Sequence, residues 1–320
     1  MGHFPDGSGP KPESSLAEMQ ILFDRQGAGS YVGGVQGKWT QVLHWSDAQR
    51  LRRAPLPRNY TDYLGRKLFL FVMTMQGIGA FALITLGVIL RKGGASSQVI
   101  RPMVRQEIAR SGAKLLPMYL FIAVAVGFLV IGQTVSVAAR LGAINYLGTV
   151  MVTVVVRELG PMLAAMLMLA RVGAANVIEL GTARALNEVE ALEAVGIDPV
   201  HYLVVPRVLG MTLGVFSLTV YLILAALGSG YLFAFLQDVP LTPGDYVKEL
   251  AGSLGWLDFA LLALKACAFG FFIAIVTCYH GLAQPLRLED ISRVTVRAVA
   301  QGIMVCVAID AVFILLYLNA

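Results

Sequence analysis

Two adjacent charged residues, Arg157 and Glu158, stand in the middle of a long apolar stretch of this sequence. The nine residues before them read GTVMVTVVV, and LGPMLAAMLMLA follows. A charge at the centre of a bilayer costs at least about 2.5–3.5 kcal/mol on insertion scales. Neighbouring helix residues point about 100° apart, so each charge needs its own partner or water. Pro161 removes the backbone hydrogen bond to residue 157 and loosens the helix. This pattern fits the wall of a water-lined cavity, and a structural cross-link between helices is the alternative.

Two more lone charges, Lys265 and Asp310, occur in later apolar stretches. Charges inside membrane bundles commonly pair with one another. The sequence leaves two pairings open, Glu158–Lys265 and Lys265–Asp310. For Asp310, structural locking of the bundle is the simpler role and transport is the alternative. The sequence shows no nucleophile-and-base or metal-ligand constellation, so we expect a non-catalytic chain without a metal site.

The sequence also fails to provide a nucleotide site. Residues 27–37, GAGSYVGGVQG, are rich in glycine, but the Gly33–Gly37 spacing is one residue too short for a P-loop. Trp39 stands where a Ser or Thr would hold magnesium. We therefore expect no cofactor in this chain. Nucleic acid is not expected as a partner either, because no basic run is interleaved with aromatic residues. Cys267, Cys278 and Cys306 lie in apolar stretches without metal-ligand spacing and are expected to be small buried side chains.

The composition predicts a polytopic membrane protein. Hydrophobic residues make up 57% of the 320 residues and charged residues only 14%. Residues 1–60 are predicted to be a soluble extension, 61–112 an interfacial helix and connector, and 113–320 a domain of five spans. The expected spans are 113–135, 146–170, 203–235, 256–279 and 294–318.

The apolar run 67–90 is long enough to cross a bilayer, but basic residues flank it on both sides. Basic flanks favour the cytoplasmic face, so we expect an in-plane elbow helix, with a crossing helix as the alternative. Residues 98–112 then form a short amphipathic connector. The distribution of Lys and Arg between loops places the N-terminus in the cytoplasm and the C-terminus outside.

An acid-rich segment between the second and third spans predicts a cytoplasmic helix over residues 178–195. Leu186, Val189, Leu192 and Val195 recur every three residues and predict one apolar stripe, and Arg184–Glu188 is an i,i+4 pair. Gly196 is expected to end the helix, and Asp198–Pro199 to begin the next span. Helices that lie on headgroups are usually basic. An acidic helix therefore favours docking to a basic groove of a protein partner.

The run 157–210, RELGPMLAAMLMLARVGAANVIELGTARALNEVEALEAVGIDPVHYLVVPRVLG, resembles the MlaE/YrbE permease family. Members of that family are the membrane subunits of MCE-associated lipid ABC transporters. The similarity extends to Lys265, to ISRVTVRAV at 291–299 and to Asp310. It implies that 178–195 is the coupling helix seated in the ATPase. The residues implied in that contact are Arg184, Glu188, Glu190, Leu192 and Glu193. It also implies that Arg157 and Glu158 face a lipid cavity.

Together these observations predict an all-α permease subunit in the inner membrane. It would work as a homodimer with a separate ABC ATPase, which binds ATP and magnesium, and an MCE-domain periplasmic protein. A phospholipid-like amphiphile is the expected cargo. Two alternatives remain open: an ion-coupled secondary transporter that uses Glu158 as a protonatable site, and a passive assembly scaffold.

Overall fold

The computed structural model describes residues 60–92, 97–140, 147–236, 242–282 and 287–319, and every regular element in these ranges is helical. The chain divides between Gly77 and Ile78 into two units. The first unit contributes only the beginning of helix α1, and all packing described below lies in the second. The glycine-rich segment 27–37 and almost all of the predicted soluble extension, 1–60, lie outside the described residues.

Twelve α-helices occupy the described ranges: α1 (Tyr60–Lys92), α2 (Ser97–Ser111), α3 (Leu116–Val126), α4 (Gly132–Arg140), α5 (Leu147–Met151), α6 (Gly160–Met168), α7 (Ala174–Ala185), α8 (Glu188–Ala194), α9 (Val205–Leu236), α10 (Pro243–Ser253), α11 (Trp256–Leu282) and α12 (Ile291–Asn319). Wider π-helical turns join several of them into longer rods, at Gly127–Ile131, Val152–Leu159, Leu169–Gly173 and Val200–Val204. Single 3₁₀ turns lie at Ala113–Leu115 and Leu288–Asp290.

Within the described ranges, six helical segments are long and apolar enough to cross a membrane: Val72–Leu90, Arg101–Ala138, Gly148–Ala185, Val200–Leu236, Trp256–Leu282 and Leu288–Tyr317. The prediction of an all-helical multi-pass membrane protein is thus confirmed. The last five segments correspond to the five expected spans, and the first is the run for which an in-plane elbow was expected. Length and hydropathy do not separate an in-plane helix from a crossing one, so the elbow stays a prediction.

Helix α9 is the centre of the bundle, and glycines bring its neighbours close to it. A Cβ on Gly230 would lie 2.3 Å from Ile131, and one on Gly270 of α11 would lie 2.6 Å from the Cα of Thr212. Gly210 and Gly214, which form a GxxxG motif in α9, face Glu107 and Ser111 of α2. Small residues allow this close approach where no hydrophobic effect drives helices together. The GxxxG motif therefore serves packing within the subunit.

The continuous helix predicted over 178–195 is wrong. Helix α7 continues the preceding span to Ala185, and the backbone turns at Asn187, whose φ is 59°. A left-handed residue of this kind interrupts a helix, so α8 starts afresh at Glu188. The predicted end at Gly196 is confirmed: its φ is 82°, and the N–H of Ile197 donates to the carbonyl of Leu192 at 2.9 Å, as in a Schellman motif.

The segment between the third and fourth predicted spans contains a helix of its own, α10. Thr242 caps it by accepting from the N–H of Asp245 at 3.2 Å. Tyr246 is buried and donates to the carbonyl of Leu227 at 3.0 Å. Burial raises the pKa of Tyr246 to about 12, so the phenol stays a donor at physiological pH. This bond ties α10 to the end of α9.

Candidate functional site

Lys265 is the centre of a charge cluster inside the bundle. Its Nζ lies 2.9 Å from the Glu158 carboxylate and 2.7 Å from that of Asp310. It also donates to the backbone carbonyl of Arg157 at 2.8 Å. The two pairings that the sequence left open therefore both form. The side chain of Lys265 has no exposed surface, because three acceptors from two other helical segments enclose its ammonium group.

Arg157 turns away from its neighbour and has its own partner. Its guanidinium lies 2.8 Å from the carboxylate of Asp258, at the start of α11, and 5.1 Å from the centre of the Tyr317 ring. The other oxygen of Asp258 accepts the N–H of Gly255 at 2.9 Å. The expectation that Arg157 and Glu158 need separate partners is met. A cation over an aromatic face gains further electrostatic stabilisation.

The ordinary angle of about 100° between neighbouring helix residues is enough to account for this divergence. Residues 157 and 158 lie in the wider turns at Val152–Leu159, and Pro161 has no N–H to donate to the carbonyl of residue 157. Such π-helical turns recur at functional positions of other helices.

The cluster is open on one side. The side chains of Arg157 and Glu158 are 30% and 32% exposed, and that of Asp310 is 18% exposed, whereas Lys265 is enclosed. Hydrocarbon does not solvate a partly exposed guanidinium or carboxylate. In a membrane, the open side of the cluster must therefore face water, a polar ligand group or another protein surface.

Sequence reasoning missed two members of the cluster, Asp258 and Tyr317. Asp258 follows GWL at the beginning of the fourth predicted span, where an acidic residue is ordinary at a helix N-terminus. Its burial, at 7% exposure, could not be inferred from that position. A signal did exist, because Arg157 needed an acidic partner and Glu158 could not be that partner.

The second predicted site is the acid-rich segment after Ala185. Glu188, Glu190 and Glu193 are exposed on α8, and Leu192 is half-buried. The predicted apolar stripe is wrong: Val189 is buried, but Leu186 and Val195 are 54% and 78% exposed. The break at Asn187 ends the helical register on which the stripe depended.

The predicted Arg184–Glu188 pair is replaced by another. The Nε of Arg184 lies 3.3 Å from Glu190, across the turn between α7 and α8. An i,i+4 contact needs an unbroken helix, and Asn187 stands between the two predicted partners. The ion pair instead braces the angle at which α8 leaves α7.

Glu179, although part of the same acid-rich run, binds to arginines of two neighbouring helices. Arg110 of α2 donates to it with both terminal nitrogens, one of them at 2.8 Å, and Arg207 of α9 donates at 3.2 Å. It joins three helical segments within the subunit. Its carboxylate thus has arginine partners within the subunit, although 43% of the side chain is exposed.

The described residues hold no group of three or more His, Cys, Asp or Glu side chains with metal-site geometry. Cys278 and Cys306 are buried as expected, and Cys267 is only partly covered. Among the histidines, His280 is buried and contacts Gln301.

A multi-pass helical protein with partly open charges inside its bundle, and with an acidic helix between two spans, has the features of a membrane permease. Comparison with known proteins agrees. The family model described as "Permease MlaE" matches residues 104–316. This chain belongs to the MlaE permease family.

Several curated proteins are similar to this chain. A probable ABC transporter permease protein of Rickettsia felis is 27% identical over 249 residues, covering 76% of this chain and 92% of its own. A probable ABC transporter permease protein of Synechocystis is 29% identical over 181 residues, covering 56% of this chain and 68% of its own. The chloroplastic protein trigalactosyldiacylglycerol 1 of Arabidopsis thaliana is 26% identical over 201 residues, covering 62% and 57%.

Proposed function

We propose that this chain is the permease subunit of an ABC transporter that moves phospholipid-like amphiphiles between the inner membrane and an MCE-type periplasmic protein. A separate ATPase drives the movement, and ATP and magnesium bind to that ATPase. The observation that carries the proposal is the half-open charge cluster around Lys265, set in an apolar bundle of the MlaE permease family.

The open side of the cluster supports a cavity closed by a second copy of the chain. Arg157 and Glu158 each keep about a third of their side-chain surface. In addition, only 17% of an 18-residue apolar stretch of the Leu288–Tyr317 span is buried within the subunit, against 50% for such stretches of Val200–Leu236 and Trp256–Leu282. In a homodimer, the charged cluster and the exposed face of the Leu288–Tyr317 span of one subunit would lie opposite those of the other. The two subunits would then enclose a cavity with charged and apolar walls.

The chemistry of that wall suits an amphiphile. Exposed apolar side chains of α12, including Val307, Val312 and Leu315, offer contact to acyl chains close to Asp310. The charged cluster offers polar contacts to one headgroup. The name of the Arabidopsis relative is that of a glycolipid, which is consistent with a lipid cargo for this chain. In this proposal Arg157, Glu158, Lys265 and Asp310 take part in transport.

Energy enters through α8. Its three glutamates are exposed, and so are residues 194–197, which follow them. We place the ATPase against this surface, with contacts from Arg184, Glu188, Glu190, Leu192 and Glu193. The charge predicts a basic groove on the ATPase.

The proposal includes an orientation of the chain in the membrane. Helix α8 faces the cytoplasm of a cell with an inner membrane, the N-terminus is cytoplasmic and the C-terminus periplasmic. Helix α1 lies in the membrane plane as an elbow, because its basic flanks belong on the cytoplasmic side.

Purification in mild detergent, with mass spectrometry of bound proteins and lipids, tests this function. We expect an ATPase and phospholipid to copurify with the wild-type chain, and the ATPase to be lost from the Glu188→Lys/Glu190→Lys variant. Glu289→Lys is the matched control, since Glu289 is exposed but lies outside α8. Equal ATPase recovery from all three proteins would refute the docking role of α8.

Two further measurements separate the alternatives. Lipid movement that stops when a proton gradient is collapsed, while ATP persists, would support an ion-coupled carrier that uses Glu158. Transport that survives replacement of Arg157 and Glu158 by leucine would support a passive scaffold.

A further inference from the structure

Three helical segments meet at one carboxylate on the side of the bundle that carries α8. Glu179 of α7 accepts two N–H groups from Arg110 of α2 and one from Arg207 of α9. Arg207 is itself fixed, because its other terminal nitrogen donates to the carbonyl of Leu203 at 3.2 Å. Two-pronged arginine–carboxylate contacts define geometry more strictly than single ion pairs do.

The two arginines come from a single rigid body. A Cβ on Gly210 would lie 2.6 Å from the side chain of Glu107, so α2 rests directly on the backbone of α9. Ser111 donates to the carbonyl of Gly210 at 3.0 Å, which fixes α2 along α9. Any movement of α7 therefore occurs against α2 and α9 together.

Helix α7 transmits such a movement directly to α8. It is unbroken from Ala174 to Ala185, and the six helical steps from Glu179 to Ala185 cover about 9 Å. Wider turns precede it at Leu169–Gly173, and the left-handed residue Asn187 follows it. Helix α7 is thus a short rod that follows wider turns, and the Arg184–Glu190 ion pair braces α8 at its other end.

A second acceptor stands unused beside the two arginines. Glu107 is buried, and its Oε1 accepts no hydrogen bond from the described residues. The Nε of Arg207 is equally buried and has no acceptor among them. Glu107 interacts electrostatically with both Arg110 and Arg207. Buried groups left without partners are costly, so an unused donor and an unused acceptor in one cluster mark a contact available to another arrangement.

We propose that Glu179 is a positioning residue that sets α8 against the α2–α9 body, and that Arg207 passes from Glu179 to Glu107 when α8 is displaced. In this exchange Arg207 loses one charge-assisted hydrogen bond, to Glu179, and gains one, to Glu107, so this arginine has a carboxylate partner in both positions. Both positions of α7 are therefore stabilised, and the intermediate ones are not. The part of this inference that concerns ATP rests on the proposed function, because there the ATPase displaces α8.

Spin labels at two exposed positions test the proposal through distances between helices. One label replaces Arg105 on α2 and the other Leu186 at the end of α7, both changed to cysteine after the three native cysteines are replaced by alanine. Distance distributions are recorded by pulsed electron paramagnetic resonance. The permease is measured alone, and the ATPase complex with and without ATP and vanadate.

The two carboxylates have different expected effects. Glu179→Gln should broaden or shift the resting distance of the permease alone. Glu107→Gln should leave the resting distance unchanged, because the Glu179 contacts remain. It should lower the ratio of displaced to resting complex with ATP and vanadate by about tenfold, as expected for loss of one charge-assisted hydrogen bond. Glu289→Gln is the control and should change neither measurement.

A purely structural role gives a different result. If Glu107→Gln alters the resting distance as Glu179→Gln does, the exchange is refuted. If neither variant changes any distance, the positioning role is refuted as well. Should Glu179→Gln fail to purify, Arg110→Lys keeps the charge, removes the two-pronged contact and has the same expected effect at rest. If the wild-type complex moves no lipid but the spin-label distances change with ATP and vanadate as expected, the proposed function is refuted and the positioning role of Glu179 remains.

Discussion

The guanidinium of Arg157 lies 2.8 Å from the carboxylate of Asp258, which connects the loosened middle of one span to the first turn of α11. Because the second oxygen of Asp258 holds the N–H of Gly255, both oxygens have partners. The positive charge of Arg157 is therefore neutralised inside the subunit. The remaining charges of the cluster are one ammonium, that of Lys265, and the two carboxylates that share it.

Breaking the Arg157–Asp258 pair should destabilise the protein more than removing both of its charges. Arg157→Gln leaves Asp258, which is 7% exposed, without a cation. We expect a loss of about 2 kcal/mol, below the usual 3–5 kcal/mol for a buried pair because Arg157 is partly exposed. The double variant Arg157→Gln/Asp258→Asn should recover most of that loss. Thermal unfolding of the detergent-purified protein measures both. Losses that simply add in the double variant would show that the two residues do not interact.

Lys265 and Glu158 should respond oppositely to neutral substitution. Lys265→Met leaves two carboxylates in a site that had enclosed their shared cation, so we expect a large fall in melting temperature or failure to purify. Glu158→Gln leaves Lys265 paired with Asp310, and the melting temperature should stay the same or rise. Lipid transport should fall in both. A Glu158→Gln protein as unstable as Lys265→Met would contradict the sharing of one ammonium by two carboxylates.

The sequence predicted most of this cluster because charges inside apolar stretches are conspicuous. Arg157, Glu158, Lys265 and Asp310 were all identified from their position alone. The partners could not be chosen, since pairing depends on how the helices are rotated and shifted against one another. Asp258 was not predicted to belong to the cluster, because acidic residues at helix starts are common and give no sign of burial.

The spans were predicted more accurately than the segment between them. Hydropathy located the last five apolar segments, whose bounds differ mainly where a helix continues past the predicted end of the span, as α7 does. The interruption at Asn187 was missed because asparagine tolerates left-handed geometry without requiring it. The end of α8 at Gly196 was predicted correctly. Glycine is the usual residue just after a helix C-terminus, so it gives a clearer signal than asparagine does.

Substitution at the two left-handed residues should affect α8 and leave the bundle intact. Gly196→Ala forces a Cβ onto a residue with φ of 82° and should cost about 1 kcal/mol. Asn187→Gly retains access to its φ of 59° and should have little effect. Hydrogen exchange of the α8 amides provides the measurement. We expect faster exchange at Leu192–Ile197 in Gly196→Ala, and unchanged exchange in α9 and α11. Faster exchange throughout the bundle would contradict a local role for this turn.

The contact between α9 and α11 should depend on the glycine at position 270, which has no side chain. A Cβ on Gly270 would lie 2.6 Å from the Cα of Thr212 and 2.7 Å from the carbonyl oxygen of Met211. Backbone atoms cannot rotate away as side chains do, so Gly270→Ala must separate the two helices. Lys265 lies in the same helix as Gly270, five residues before it. The separation should therefore also disturb the charge cluster.

Gly228 in α9 provides the matched control, because nothing lies within 4 Å of the Cβ it would gain. Gly228→Ala should be neutral or stabilise the helix by up to about 1 kcal/mol, the usual difference between the two residues in a helix. We expect Gly270→Ala to lower the melting temperature and Gly228→Ala to leave it equal or higher. Because α9 is the helix on which α2 and α11 both rest, equal stability of the two variants would mean that α11 does not approach α9 as closely as its backbone contacts indicate.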